Sequence, residues 1–223
     1  MRILTNYRLL GISILAISLL VTLQINSANA QQVVINGAGA SFPFPLIDNW
    51  RVEYQKVDPE TSINYASIGS GGGIQQFTEK TVDFGATDAP LSASEIQQAG
   101  NVVHIPETIG SVVLAYNIPE VVDTPLNLTG PVIADIFLGN ITTWNDQRIQ
   151  DLNPGVTLPS ENINTVHCAD GSGTTFVFTD YLSKVSPEWN QTIGNGKSVQ
   201  WPVGIGAPGN EVWLPLFKDH PIL

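Results

Sequence analysis

Three times along this chain a short apolar run ends in a glycine-rich turn carrying a hydroxyl, and an amphipathic stretch follows. The turns are Gly37-Ala38-Gly39-Ala40-Ser41-Phe42, Gly69-Ser70-Gly71-Gly72-Gly73 and Asp170-Gly171-Ser172-Gly173-Thr174-Thr175. Strands that feed helices in this way build an α/β architecture with mainly parallel strands, because a parallel pair needs a long crossover and a helix supplies it. Val33-Val34-Ile35 reads as the first strand and 43–57 as a helix with Ile47, Trp50 and Tyr54 on one face. A second strand is expected over 63–68, a helix beginning at 74–80, and a short third strand at Val82-Asp83-Phe84-Gly85-Ala86. An Asp88-Ala89-Pro90 turn then leads into a helix around 92–98. The run 111–116 predicts a strand closed by Asn117-Ile118-Pro119, which places a boundary between two lobes near 116–120. Beyond it come a helix over 131–138, a strand over 163–166, the third turn, and a helix from Phe176 to about Lys184.

The first thirty residues are of another kind. Arg2 and Arg8 precede an uncharged run over 9–23, and Ala28-Asn29-Ala30 closes it with small residues. This is the layout of a secretory signal peptide, with cleavage expected after Ala30. An uncleaved N-terminal anchor is the alternative, since the apolar run is only slightly shorter than a membrane span; either reading makes the chain an exported one. A single cysteine, Cys168, leaves no intramolecular disulfide to staple an exported fold, so stability has to come from packing. The net charge of −11 becomes about −13 once the signal arginines are removed. Such a surface repels nucleic acid and anionic lipid, yet a buried site can still hold a small anion on backbone N–H groups.

That chemistry is what the three turns offer. A helix N-terminus carries unpaired N–H donors and a partial positive charge, glycine lets the backbone approach closely, and a Ser or Thr hydroxyl adds a donor. Each turn alone is equally readable as a plain strand-to-helix connection, because Gly and Ser dominate ordinary loops. Three converging turns would suit a small tetrahedral oxyanion. Neither a Walker A loop nor a dinucleotide fingerprint is present, which argues against nucleotides. His104, His167 and His220 form no ligand-spaced motif, so neither a metal site nor a cofactor is expected.

The segments "GAGASFPFP", "IGSGGGIQQ", "VDFGATDAPLS", "ADGSGTTFVFTDYL" and "WPVGIGAPGNE" occur in this order over about residues 33–211. Together they strongly resemble the phosphate-binding receptor of the phosphate ABC transporter. The resemblance implies a two-lobed, type II periplasmic-binding-protein-like fold that closes on desolvated phosphate. The receptor would be non-catalytic and monomeric, would be exported to the periplasm or outer face of the membrane, and would deliver its ligand to ABC permease subunits. Matched motif by motif, it implies phosphate contacts from Ser41 and the Phe42 N–H, from Ser70, and from Ser172, Gly173 and Thr174. It also implies that Asp88 accepts the proton of hydrogen phosphate, a proton that sulfate lacks at neutral pH. Without the resemblance Asp88 reads first as a turn cap before Pro90, ahead of a ligand role.

The resemblance is incomplete in two places. Cys168 stands where the family carries a phosphate-binding arginine steadied by the acid at Asp170, and an uncharged thiol does not replace a bidentate guanidinium. With His167 adjacent, Cys168 could also be read as the nucleophile of an exported phosphatase-like hydrolase, although neighbours in a strand point to opposite faces. The family also continues well past "GNE". Loss of one G after the Glu211 codon would turn a family-like GVAATVQG into Val212-Trp213-Leu214-Pro215-Leu216-Phe217-Lys218-Asp219. The expected organisation is a signal peptide over 1–30, the N-terminal part of lobe I over 31–117, a partial lobe II over 118–211, and an aberrant tail over 212–223. On this expectation the fold is incomplete at its C-terminus, and a truncated remnant without phosphate binding is a further reading.

Overall fold

The computed structural model of the chain describes residues 32–121 and 124–209. The expected signal segment and the 212–223 tail lie outside the described residues. The first region is a three-stranded parallel sheet. Strand β1 (Val33–Gly39) lies between β2 (Thr61–Ser67) and β3 (Phe84–Ala86), with Ile35 opposite Ile63 and Gly37 opposite Phe84. Helix α1 (Phe44–Val57) crosses from β1 to β2, and α2 (Gly69–Thr78) crosses from β2 to β3. This is the alternation that the glycine turns predict.

The second glycine turn, however, is absorbed into a helix. Sequence places a turn through Gly73, whereas α2 begins at Gly69. Glycine in a helix interior costs about 1 kcal/mol relative to alanine, so propensity argues for a loop. Packing reverses the outcome: α2 lies directly on β1, and a Cβ on Gly73 would come within 2.7 Å of the Ala38 carbonyl oxygen and closer still to Gly39 Cα. Only a bare backbone allows that approach. The loop after β3 runs through Asp88 to α3 (Ala93–Ala99). Ser92 caps this helix, accepting from the Glu95 N–H while the Glu95 carboxylate accepts from the Ser92 N–H. The reciprocal bonds satisfy two donors at the helix start.

The second region contains α4 (Gly130–Leu138), α5 (Gln147–Gln150), α6 (Gly173–Val185) and α7 (Pro187–Thr192), with β4 (Val166–Cys168) paired in parallel to β5 (Ile205–Ala207). Its core gathers Trp144, Trp189, Ile136, Ile141, Ile149 and Leu182, all essentially inaccessible to solvent. Sequence sets the strand at 163–166, but the ladder forms at Val166–Cys168, where β5 supplies a partner. The third turn is likewise shorter than expected, because Ser172 caps α6 and the helix begins at Gly173.

The predicted strand over 111–116 has no ladder among the described residues, and Val113 is largely exposed. Tyr116 is held instead by its side chain. Its hydroxyl donates to the Thr124 carbonyl, accepts from the Leu126 N–H, and its ring leans on Trp144. β-branched residues make a segment fit for a sheet, but a strand needs a partner edge.

Candidate anion-binding cleft

Ser70 lies in the first turn of α2 and is almost completely buried. Its Oγ accepts from the Asp88 N–H at 3.2 Å and sits 3.4 Å from Asp88 Oδ2, to which it can donate. Opposite this pair stands the N-terminus of α6. A Cβ on Gly173 would lie 2.7 Å from both Asp88 Oδ2 and Ser70 Oγ, so only glycine fits where the two walls meet. The second and third glycine turns also touch directly, the Gly71 N–H donating to the Gly171 carbonyl at 2.7 Å. Segments about a hundred residues apart in sequence are thus joined backbone to backbone.

Phe42, Asp88, His104, Glu107 and Thr174 line a common open cleft of about 850 Å³. Ser41 lies at the end of the first turn, half-buried, with the preceding Ala40 N–H bonded to the Ala86 carbonyl. Ser172 is buried as the α6 cap, its Oγ accepting from the Thr175 N–H and its own N–H donating to the Lys197 carbonyl at 2.9 Å. The N–H groups of Gly173 and Thr174 belong to the first turn of α6, where a helix offers no internal acceptor. Of the expected site residues, Phe42, Asp88 and Thr174 line the cleft and Ser70 and Gly173 meet Asp88, whereas Ser41 and Ser172 are next to these in sequence but not among the lining residues.

The electrostatics of the cleft are acidic. Burial pushes the Asp88 carboxyl up, with the Ser70 hydrogen bond working the other way. Glu107 is pushed up by burial and then by the charge of Asp88. Tyr65, whose hydroxyl donates to the Ala40 carbonyl at 2.7 Å, has its phenol pushed far up by burial, and Glu107 and Asp88 add to it. A carboxyl whose charged form is penalised by burial gains from a ligand that brings it a proton. Sequence reasoning did not single out Glu107 or Tyr65, which carry no motif and enter the site only through the fold.

Cys168 and His167 do not form a catalytic pair. His167 stacks on Trp201 with ring centroids 4.7 Å apart, and its Nδ1 lies 3.0 Å from the Cys168 carbonyl, not aimed at a thiol. That carbonyl can only accept, so Nδ1 carries the proton. Burial pushes the Cys168 thiol up, while hydrogen bonds from Ser172 and Thr175 oppose the rise. A thiol held this way is a poor nucleophile. Cys168 lines an adjoining, mainly apolar cavity of about 510 Å³ that shares Val112, Val113, Thr174 and Val177 with the cleft. Asp170, the expected partner of the missing arginine, accepts from the Gly209 N–H at 3.0 Å. Among the described residues no group of three or more side chains could hold a metal ion, and no helix is long and apolar enough to cross a membrane.

Residues 26–210 match the model of the PBP superfamily domain. The chain belongs to the PBP superfamily. Within it, the chain is 52% identical over 186 residues to the phosphate-binding protein PstS of Xylella fastidiosa, which covers 83% of this chain and 50% of that protein. It is 50% identical over 182 residues to PstS of Haemophilus influenzae, and 40% identical over 207 residues to PstS of Methanocaldococcus jannaschii. The chain spans about half the length of these curated relatives. Its fold resembles a candidate phosphate ABC transporter substrate-binding protein from Clostridium perfringens, solved with bound phosphate, at a TM-score of 0.61 and 21% identity; the match covers 85% of this chain and 68% of that one. An ABC-type phosphate transport receptor from Vibrio cholerae matches at a TM-score of 0.51 and 18% identity, covering 85% and 69%. The α/β fold of this superfamily, expected from the glycine turns, is thereby shown, and the superfamily is one of binding proteins.

Proposed function

We propose that this chain binds inorganic phosphate as an exported solute receptor for an ABC importer. The observation that carries the reading is the meeting of Ser70 and Asp88 with the N-terminus of α6 across one cleft. The names of the PBP-superfamily relatives support phosphate as the anion. In this reading Ser41, Phe42, Ser70, Ser172, Gly173 and Thr174 donate to phosphate oxygens, and Asp88 accepts the proton that hydrogen phosphate carries and sulfate lacks. Residues 31–117 and 118–211 act as two lobes that close because the anion supplies contacts available only in the closed state. The segment 1–30 directs export, and the loaded monomer docks on permease subunits.

Cys168 makes the affinity lower than a site with a guanidinium would have. A buried charged partner of an anion commonly contributes about 2–5 kcal/mol, a factor of roughly 30 to several thousand. Calorimetric titration with phosphate, with sulfate as control, tests the proposal. Saturable heat with phosphate and none with sulfate is the expected result. Silence from verifiably folded protein would mean that the chain keeps the fold of its relatives without their site.

A further inference from the structure

Lys197 and Glu95 are 102 positions apart, yet the ammonium of one bonds both carboxylate oxygens of the other, at 2.8 and 2.9 Å, and both side chains are largely shielded from solvent. Each partner is fixed to a different wall of the cleft. The Lys197 carbonyl holds the Ser172 N–H, and the neighbouring Gly196 exchanges hydrogen bonds with Thr179 of α6 through both its N–H and its carbonyl. The Lys197 ammonium also lies over the Phe176 ring, 5.9 Å from its centroid. Backbone and stem of Lys197 therefore move with α6. Glu95 sits in the first turn of α3, locked by its reciprocal capping bonds with Ser92, and α3 follows directly on the loop that carries Asp88.

We infer that Glu95 and Lys197 form a clasp that sets the spacing between Asp88 on one wall and Ser172–Thr174 on the other, and so act as positioning residues for the anion. This rests on the phosphate reading for its consequence, but the clasp itself is a claim about the two walls. Neither side chain is itself a proposed ligand contact, and Lys197 reaches one only through its carbonyl, which holds the Ser172 N–H. The pair is stronger than a surface ion pair because it is shielded, bidentate and preorganised by the capping bonds on one side and the α6 backbone on the other.

The test uses the full chain in four forms: wild type, Lys197→Met, Glu95→Gln and the reversal Glu95→Lys/Lys197→Glu. Phosphate affinity is read by calorimetry, and amide hydrogen exchange at residues 173–175 is read in ligand-free protein. Each single variant is expected to bind phosphate about tenfold more weakly and to exchange faster at the α6 N-terminus. The reversal is expected to recover only part of both losses, because a lysine at position 95 cannot accept from the Ser92 N–H. Faster exchange in the singles, but no phosphate binding by wild type, would uphold the clasp and overturn the phosphate reading. Wild-type affinity and exchange in the single variants would overturn the clasp while leaving phosphate binding intact.

Discussion

The two regions of the molecule are held together by opposite means. Around β1 the packing is made by absence of side chains: Gly37 makes room for the Phe84 ring, Gly39 for Ala86 and Gly73 for β1 itself, and the fully buried apolar groups there are mainly alanines with Ile47 and Ile74. Large apolar residues of the same region remain open, with Trp50 at 46% and Tyr54 at 44% exposure. Around α4 and α6 the packing is made by bulk, with Trp144 and Trp189 wholly buried and Phe137, Phe178 and Trp201 in mutual ring contact. Both regions supply the cleft, the first with Ser70 and Asp88 and the second with the α6 N-terminus; they differ in how the packing behind it is made.

Removing bulk should therefore separate the regions most sharply. Trp189 is buried with its Nε1 donating to the Gly194 carbonyl at 2.9 Å. Trp189→Ala is expected to lose about 3–5 kcal/mol in urea unfolding, whereas Trp50→Ala in the first region should lose less than about 1 kcal/mol. Equal losses would erase the distinction. The reciprocal experiment adds bulk. Gly73→Ala forces a methyl against the β1 backbone, where no flexible side chain can yield, and should lose about 1–3 kcal/mol as overpacking. A neutral Gly73→Ala would mean that α2 does not lie on β1 as closely as the structure has it.

Sequence reading reached one region better than the other for the same reason. Glycine runs announce close approach, and so the three turns and the order strand–turn–helix are legible in the sequence, whereas the roles given to Ser41, Ser70, Asp88 and Ser172 rest on the family resemblance. Ser92 with Glu95 is also an evident capping signal. The helices α5 and α7 went unnoticed because four and six residues are too few to establish a period, although Ser186-Pro187 before Glu188 is a helix-start signal that would have found α7. Lys197 and Glu107 were out of reach altogether. One is clamped by a partner 102 residues away and the other gains its neighbour Asp88 only when the chain folds, and nothing local encodes either. The run 111–116 shows the converse: strong strand propensity without a partner strand among the described residues.

A smaller effect tests how firmly α3 is anchored to the cleft. Ser92→Ala removes the acceptor for the Glu95 N–H, while the backbone N–H at position 92 that binds the Glu95 carboxylate remains. The helix should lose about 1 kcal/mol. Because Glu95 also clasps Lys197, the loss should be accompanied by faster exchange at the α6 N-terminus, across the cleft. Destabilisation confined to α3 would show that the cap and the clasp are independent.

The smallest expected effect is also the one that distinguishes the two carboxylates by sign. Burial raises Asp88, so its favourable contribution to stability is fully present below the ordinary aspartate value and is lost as pH rises through the raised one. For Glu95, burial alone would raise the carboxyl, but the hydrogen bonds from Lys197 and Ser92 outweigh it and the net direction is downward. Its contribution is present above the ordinary glutamate value and is lost as pH falls through the lowered one. Melting temperatures of ligand-free Asp88→Asn and Glu95→Gln, measured between about pH 3 and 7 and subtracted from wild type, should therefore bend in opposite directions. Asp88→Asn should gain relative to wild type toward neutral pH, and Glu95→Gln should lose. Parallel curves would mean that burial in the empty cleft costs the Asp88 carboxylate nothing, and the proton that hydrogen phosphate brings would then relieve no desolvation of that charge.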